Sequence, residues 1–525
     1  MGGLAAGKIA SLELTQSHNT PRSILIVGGG TAGWMAAVLF AKAWGRQDCR
    51  ITLMESSDIG TIGVGEGSTP RMRDFFRQLD IPESEWMPAC NATYKCGIRF
   101  PDWSTRPGYP SYYHPFFTLS DNEFVRSFFN NVTLRNHKRA KVHAHPDAFF
   151  VSQYLAKSRR APLAPDGIEY QTDYAYHFDA GLLGEFLKQK ALAWGVDHRI
   201  DTVTAVNQAD DGAIASVDTE GSGALAADLF VDCTGFAGLL IGKTLDEPFV
   251  SYSDSLLNDR AVALPTPPEQ DQGLPSETLS TALKYGWAWK IPLTGRFGNG
   301  YVYSSTYCEP EQAEAELREH IGQHDASVQA RHLKMRIGRR ERCWARNCLA
   351  VGLSQGFIEP LEATALMLVQ ETIEDFIEHQ PRDGADGRAR EALNATIAAK
   401  FDGVRDYVFM HYKLNTRADT AYWRDCRDLP PCSDLVAELL RTWDRGGDIV
   451  ELLKQNSQRV VYSPTSWLCI LAGMGRFPSN PKKPKKNQRV ADPDIVRQHC
   501  EALLGHFPDH RSAVEGLRTS GSAAS

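Results

Sequence analysis

The sequence predicts an α/β fold: a nucleotide-binding domain with more than one sheet, continued by a mainly helical region. Three observations carry this. A short β-branched run, Ser23 to Val27, leads through Gly28-Gly29-Gly30-Thr31-Ala32-Gly33 into Trp34-Met35-Ala36-Ala37-Val38-Leu39-Phe40, an apolar run of helical character. A second apolar run, Ile51 to Met54, ends on an acid, Glu55. Apolar segments alternate again through residues 260–307 as a second sheet, and from Ala363 onward most of the chain reads as helix.

Taken in order, residues 1–22 form an irregular tail, and residues 23–55 read as strand, glycine turn, helix and strand, a βαβ unit. Residues from about 103 to 170 are rich in aromatics, His and Pro without clear periodicity and are expected to form an irregular, pocket-lining insertion. Phe186 to Trp194 is expected to be helical. Thr202 to Val206 and Ile214 to Val217 flank Asp210-Asp211-Gly212, a hairpin signal, and Leu229 to Val231 is a further strand. The expected organisation is a core over 23–380, a helical substrate region over 381–510, and a frayed tail from 511, where residues become small and polar.

Composition excludes several classes. The 525 residues are 42% hydrophobic and 23% charged, which fits an ordinary globular chain rather than a disordered one. A net charge of −7 argues against a nucleic-acid binder, and the basic cluster at Lys482, Lys483, Lys485 and Lys486 reads as a solvated loop. The 11 cysteines show no C-x-x-C pair and no metal-ligand spacing, so reduced thiols and no metal are expected. With neither a signal-like start nor a long apolar run, the chain is expected to be cytoplasmic and away from membranes. A homodimer is among the assemblies left open.

Gly28, Gly30 and Gly33 make G-x-G-x-x-G between a strand and a helix, with Glu55 following 22 positions after Gly33. That context points to a Rossmann-type dinucleotide site. Gly28 allows the tight turn, Gly30 lets backbone approach a pyrophosphate, and Gly33 permits close helix packing, while the helix start at Thr31 and Ala32 offers free N–H groups to phosphate. Glu55 is placed to bind a ribose and favours FAD or NAD over a 2′-phosphorylated cofactor. Asp232 and Gly235, and then Gly352 and Leu353, sit where small residues follow strands. Such places either admit an extended dinucleotide or simply form tight turns.

Further motifs bring in a family. Gly286-Trp287-Ala288-Trp289-Lys290-Ile291-Pro292, with Gly63-Val64-Gly65-Glu66, Asn91-Ala92-Thr93-Tyr94-Lys95 and Phe357-Ile358-Glu359-Pro360-Leu361-Glu362, resembles the flavin-dependent tryptophan halogenases in the expected order over nearly the whole length. The resemblance implies an FAD-binding fold of the glutathione-reductase and monooxygenase type, with Val64 and Gly65 at the cofactor. It implies that reduced FAD, oxygen and chloride or bromide generate hypohalous acid, which travels to a separate aromatic substrate. Lys95 matches the catalytic lysine and Glu362 the essential glutamate. Trp287, Trp289, Ile291 and Pro292 would wall the tunnel between the two sites. Backbone around Thr364 and Ala365 would bind halide, and His114 and Phe116 would flank the substrate. Where the family has serine after the glutamate, this chain has Ala363, which removes a hydrogen-bond partner from Glu362.

Members acting on free tryptophan carry a tyrosine- and glutamate-bearing segment that grips the amino-acid end. Here Leu453 to Tyr462 contains no Asp or Glu. Indole or an indole-like or phenolic compound is therefore expected to be preferred over free tryptophan. With no second nucleotide motif, reduced FAD is expected to arrive by diffusion from a separate flavin reductase. The competing readings are an FAD-dependent aromatic monooxygenase and a catalytically silent FAD-binding protein.

Overall fold

The computed structural model describes residues 20–45, 47–57, 65–117, 121–164, 172–268, 273–379 and 387–522, with side chains to residue 518. Strand β1 (Ser23–Val27), helix α1 (Thr31–Trp44) and strand β2 (Arg50–Glu55) form the expected βαβ unit. The two strands run parallel, with Ser23 opposite Arg50 and Val27 opposite Met54. Helix α1 is apolar on most sides, and the fold buries it from Gly33 to Ala41.

β1 and β2 lie within a six-stranded sheet whose order is Trp344–Ala345, Cys348–Ala350, Leu229–Asp232, β1, β2, Asp197–Ile200. All neighbours run parallel except the first pair. Parallel alignment brings the C-terminal ends of these strands to one edge, where α/β sheets bind ligands. The hairpin Val203–Gln208/Ile214–Thr219 pairs antiparallel, with Gly212 at φ +79° in its turn.

A seven-stranded sheet runs in the order Arg331–Lys334, Arg260–Thr266, Phe297–Tyr303, Gly286–Pro292, Thr278–Leu283, Gly97–Pro101, Ser111–Pro115. One face packs on helix Pro310–Ile321 through Ala313 and Leu317, and the other turns Trp287, Trp289 and Ile291 into the main core. Beside it a small antiparallel sheet orders Gly65–Gly67, Ala175–Asp179 and Thr93–Lys95. The backbones meet closely: a Cβ added to Gly65 would lie 3.3 Å from Gly298 Cα.

Two expectations are corrected here. The insertion is not irregular where described: Ser111–Pro115 edges the large sheet, and Asn122–Asn136 and Val151–Lys157 are helices. The first of these helices buries Phe124, Phe128 and Val132, a spacing of four diluted in sequence by asparagines and arginines on the remaining faces. Nor are the described residues from 511 to 522 frayed. His510–Ser522 is a helix, and His510 and Val514 on one face are buried against the core. The helix predicted from Phe186 begins earlier, at Ala180, where the Asp179 carboxylate caps Gly181 and Leu182. The N-terminal tail up to residue 19 and Val64 lie outside the described residues.

One continuous apolar cluster runs from Ile24 through Trp287, Phe409 and Leu471 to Val514. The compositional boundary near residue 380 is therefore no boundary in packing. No described helix is long and apolar enough to cross a membrane.

Candidate active site

At the end of β1 the turn is shaped by backbone. Gly28 has φ +114°, and a Cβ there would fall 2.2 Å from the Cys233 carbonyl oxygen. A Cβ on Gly33 would fall 2.0 Å from the Gly28 carbonyl oxygen, so α1 can approach the strand only with glycine at that position. A Cβ on Gly30 would meet nothing within 4 Å among the described residues. The space and free N–H groups at the helix start are what a pyrophosphate requires. Glu55 accepts from His198 Nε2 at 2.8 Å and Lys188 Nζ at 3.2 Å through one oxygen, which fixes the carboxylate against the Gly29 backbone. Gly352, at φ +72°, packs so near α1 that a Cβ would be 2.8 Å from Ala32 Cβ, and Leu353 follows it in the same turn. Gly235, at φ +67°, is open. The cradle fits an extended dinucleotide such as FAD.

Asp232, at the end of its strand, is held by its own loop. It is 0% exposed, and its carboxylate takes Thr234 N and Oγ1 on one oxygen and the Leu240 and Ile241 amides, each at 2.8 Å, on the other. Four local donors occupy it, so its carboxylate shapes the loop around Gly235.

Lys95 ends the short strand Thr93–Lys95 and is fully buried. Its Nζ donates to the Ser68 carbonyl at 3.0 Å. The absent side chain of Gly67 leaves it room, since a Cβ there would be 3.1 Å from Nζ. Burial pushes the ammonium down to about 7, against the opposing pull of Glu362. His177, hydrogen-bonded to Thr93 and Thr278, is held neutral by burial and by Lys95. The strand is anchored by Tyr94, which donates with Tyr174 and Tyr176 to the Glu83 carboxylate. Behind it, His510 accepts from the Tyr94 backbone N–H. The C-terminal helix thus buttresses the lysine strand.

Glu362 lies in the short turn Pro360–Glu362 and is 4% exposed. His114 Nδ1 is 2.9 Å from Oε2, and His411 Nε2 is 3.0 Å from Oε1, an ionic contact set off the hydrogen-bond line. Burial alone would raise this carboxyl, but His114 and then His411 override it and hold it down to about 2. Phe116, two residues beyond His114, has its ring 5.5 Å from Lys95 Nζ. The lysine and the glutamate therefore border the same strand end. Ala363 takes the left-handed conformation at φ +57°, and Thr364 opens the helix Ala365–Glu378, whose first turn holds no acid. That arrangement suits an anion.

Strand Gly286–Pro292 places Trp287, Trp289 and Ile291 on one face. The Trp289 ring lies over Gly300, where a Cβ would be 2.0 Å away, and the Pro292 carbonyl accepts from Thr93. Trp287 Nε1 donates at 2.7 Å to Glu359, which also accepts from Tyr412 and Asn258. Glu359 stood inside a motif without an assigned role. Here it ties the tryptophan strand to the turn that carries Glu362.

The fold adds residues the sequence did not flag. His411 comes from the long helix Gly387–Leu414 and carries no motif. Tyr407, one turn earlier, stacks on Tyr462 at 3.8 Å and lies 5.7 Å from His114, while Trp467 meets it edge-on at 5.0 Å. Tyr462 closes the segment read as lacking a carboxylate, and its ring lies 6.4 Å from that of His114. Helical spacing of 407 and 411 was the signal that could have paired the two.

The structure thus has two distinct features: a glycine-shaped turn that fits a dinucleotide, and a buried Lys95 whose ammonium feels a buried Glu362. The tryptophan halogenase family model matches residues 23–489, and the chain belongs to that family, whose members are flavin-dependent halogenases. It is 40% identical to tryptophan 6-halogenase SttH of Streptomyces toxytricini over 92% of this chain and 94% of that one. To tryptophan 7-halogenase RebH of Lentzea aerocolonigenes it is 37% identical, over 94% and 96% respectively. The solved structure of BrvH, a flavin-dependent halogenase from Brevundimonas sp. BAL3, superposes with a TM-score of 0.82 at 32% identity, covering 95% of this chain and 99% of that one.

Proposed function

We propose that this halogenase places bromine or chlorine on indole or an indole-like aromatic, with Lys95 and Glu362 as its catalytic residues. The observation that carries this is the pairing of a fully buried Lys95, held down to about 7, with a buried, ionised Glu362 around His114 and Phe116. FAD would be held by Gly28, Gly30, Gly33, Glu55 and Gly352, and when reduced it supplies, with oxygen, the oxidising equivalent that converts halide to hypohalous acid. The open backbone at Thr364 and Ala365 would hold the halide, and Trp287, Trp289, Ile291 and Pro292 would keep the organic substrate apart from the flavin.

In the chamber Lys95 hydrogen-bonds the hypohalous oxygen. The C–X bond forms as the O–X bond breaks, the oxygen leaves as water with a proton from the ammonium, and the ring C–H proton passes to Glu362. Transfer of that proton back to Lys95 restores the starting state. A carboxylate beside the cationic ring intermediate stabilises it electrostatically. The substrate ring would lie among His114, Phe116 and Tyr407. The Tyr112 hydroxyl and Trp467 indole N–H are buried without a partner among the described residues, consistent with a ligand bearing a polar atom. The absence of any Asp or Glu from 453–462, with Tyr462 stacked on Tyr407, supports indole over free tryptophan.

The test is product mass spectrometry with a separate flavin reductase, NADH, FAD and bromide. Bromoindole is expected at a rate well above bromotryptophan, with no steady turnover when the reductase is omitted. Oxygen-only mass gain would replace this reading with a monooxygenase, and a clear preference for tryptophan would overturn the substrate assignment.

A further inference from the structure

His411 is 0% exposed, and its two ring nitrogens have partners of fixed character. Nδ1 lies 3.2 Å from the Tyr407 carbonyl oxygen one turn back in its helix. A carbonyl only accepts, so Nδ1 carries a proton. A neutral imidazole has a single N–H, which would leave the Nε2 lone pair facing Glu362 Oε1 at 3.0 Å. Two acceptors at that distance, buried from water, repel each other. The contact becomes attractive only if the His411–Glu362 pair holds one more proton.

Among the described residues, the groups packed on the ring offer no other place for this proton. Around the His411 ring stand Phe100 and Trp103, Tyr112 from the edge strand, and Tyr407 from its own helix. His114 occupies the other oxygen of Glu362. Lys95 and Cys469 act on Glu362 from their own strand and helix. Burial raises the Tyr112, Tyr407 and Cys469 groups, so all three stay neutral at neutral pH. Glu362 is the one carboxylate in this set, and it is held low enough to stay ionised.

We infer that His411 is a positioning residue for the halogenation: an imidazolium clamped between the Tyr407 carbonyl and the Glu362 carboxylate, keeping Glu362 ionised and fixed in direction. The contact with Oε1 lies off the hydrogen-bond line, so what the ring supplies there is charge more than a bond. In a chain with Ala363 next to the glutamate, His411 and His114 are what hold the carboxylate. The inference rests on the halogenase reading, because only there does an ionised Glu362 have a cationic ring to stabilise.

Two measurements test it. In 15N-histidine-labelled protein with its 15 histidines, the resonances lost in His411→Gln identify the ring. At neutral pH both of its nitrogens are expected to be protonated, and an unprotonated Nε2 would overturn the inference. In bromination of indole, His411→Phe is expected to lower kcat about 10- to 100-fold with KM within about 3-fold, and His411→Gln, a neutral donor, to recover part of the loss. Wild-type kcat in His411→Phe would also overturn it. The resonance measurement needs no turnover and no His411→Phe protein, so it stands if that variant fails to fold. Loss of the halogenase reading would appear separately, as wild type and Lys95→Ala alike giving no bromoindole.

Discussion

At the nucleotide end the decisive atoms are backbone: Gly28 and Gly33 are pressed against carbonyl oxygens, and Gly30 faces open space. At the proposed reaction end they are ionisable side chains, Lys95, Glu362, His114 and His411, drawn from two strands, a turn and a long helix, all of them buried. The first is set by close backbone approach, and at Gly28 and Gly33 an added Cβ would collide. The second is made by residues up to 316 positions apart, from Lys95 to His411, and depends on charges the rest of the fold deprives of water. One end is limited by space and the other by electrostatics, so different substitutions should damage them.

The largest effect is expected at the reaction end. Lys95→Met should lower bromination by about 100-fold or more while flavin binding, read by fluorescence titration, is unchanged. The same substitution should alter stability with a defined sign. Below about pH 7 the folded and unfolded chains both carry the proton on Lys95, and the buried ammonium costs stability in full. Between about 7 and the ordinary lysine value of 10.5 the unfolded chain holds a proton that the folded chain has released, so stability contributed by this group rises with pH. Lys95→Met should therefore melt above wild type at pH 6, and the gap should narrow by pH 9. An unchanged gap would show that the amine is not desolvated.

The nucleotide end should respond through packing. Gly28→Ala, forced into φ +114° with a Cβ against the Cys233 carbonyl, is expected to lose about 2–4 kcal/mol in denaturant unfolding. Gly30→Ala has free space and should stay within about 0.5 kcal/mol of wild type, yet weaken flavin binding by roughly 10-fold. Equal destabilisation by the two would erase the distinction drawn here. The smallest effect is expected between the ends: Trp287→Phe removes one donor from Glu359, which keeps Tyr412 and Asn258, at a cost of about 1 kcal/mol.

How much of this could be read from residues alone follows the same division. The βαβ unit with its glycine turn, the 203–219 hairpin and the strands between 260 and 303 were legible because each depends on neighbours within a few dozen positions. The place of Asp232 stayed open in sequence because a strand-end acid looks alike whether it meets a ligand or caps its own turn, and only the folded loop brought the Leu240 and Ile241 amides to it. The insertion and the last helix hid a burial pattern that has meaning only once a core exists to receive Phe128 or Val514.

The order of residues by itself determined the glycine turn of the βαβ unit and, through the resemblance its motifs carry, singled out Lys95 and Glu362 as candidates. Tertiary structure decided what state those two groups are in. A lysine has an ordinary ammonium until packing removes water from it, and a glutamate is held low only where two histidines, from positions 114 and 411, are folded against it. Charge in a low-dielectric interior depends on distances in space, and those distances appear only after the chain has closed.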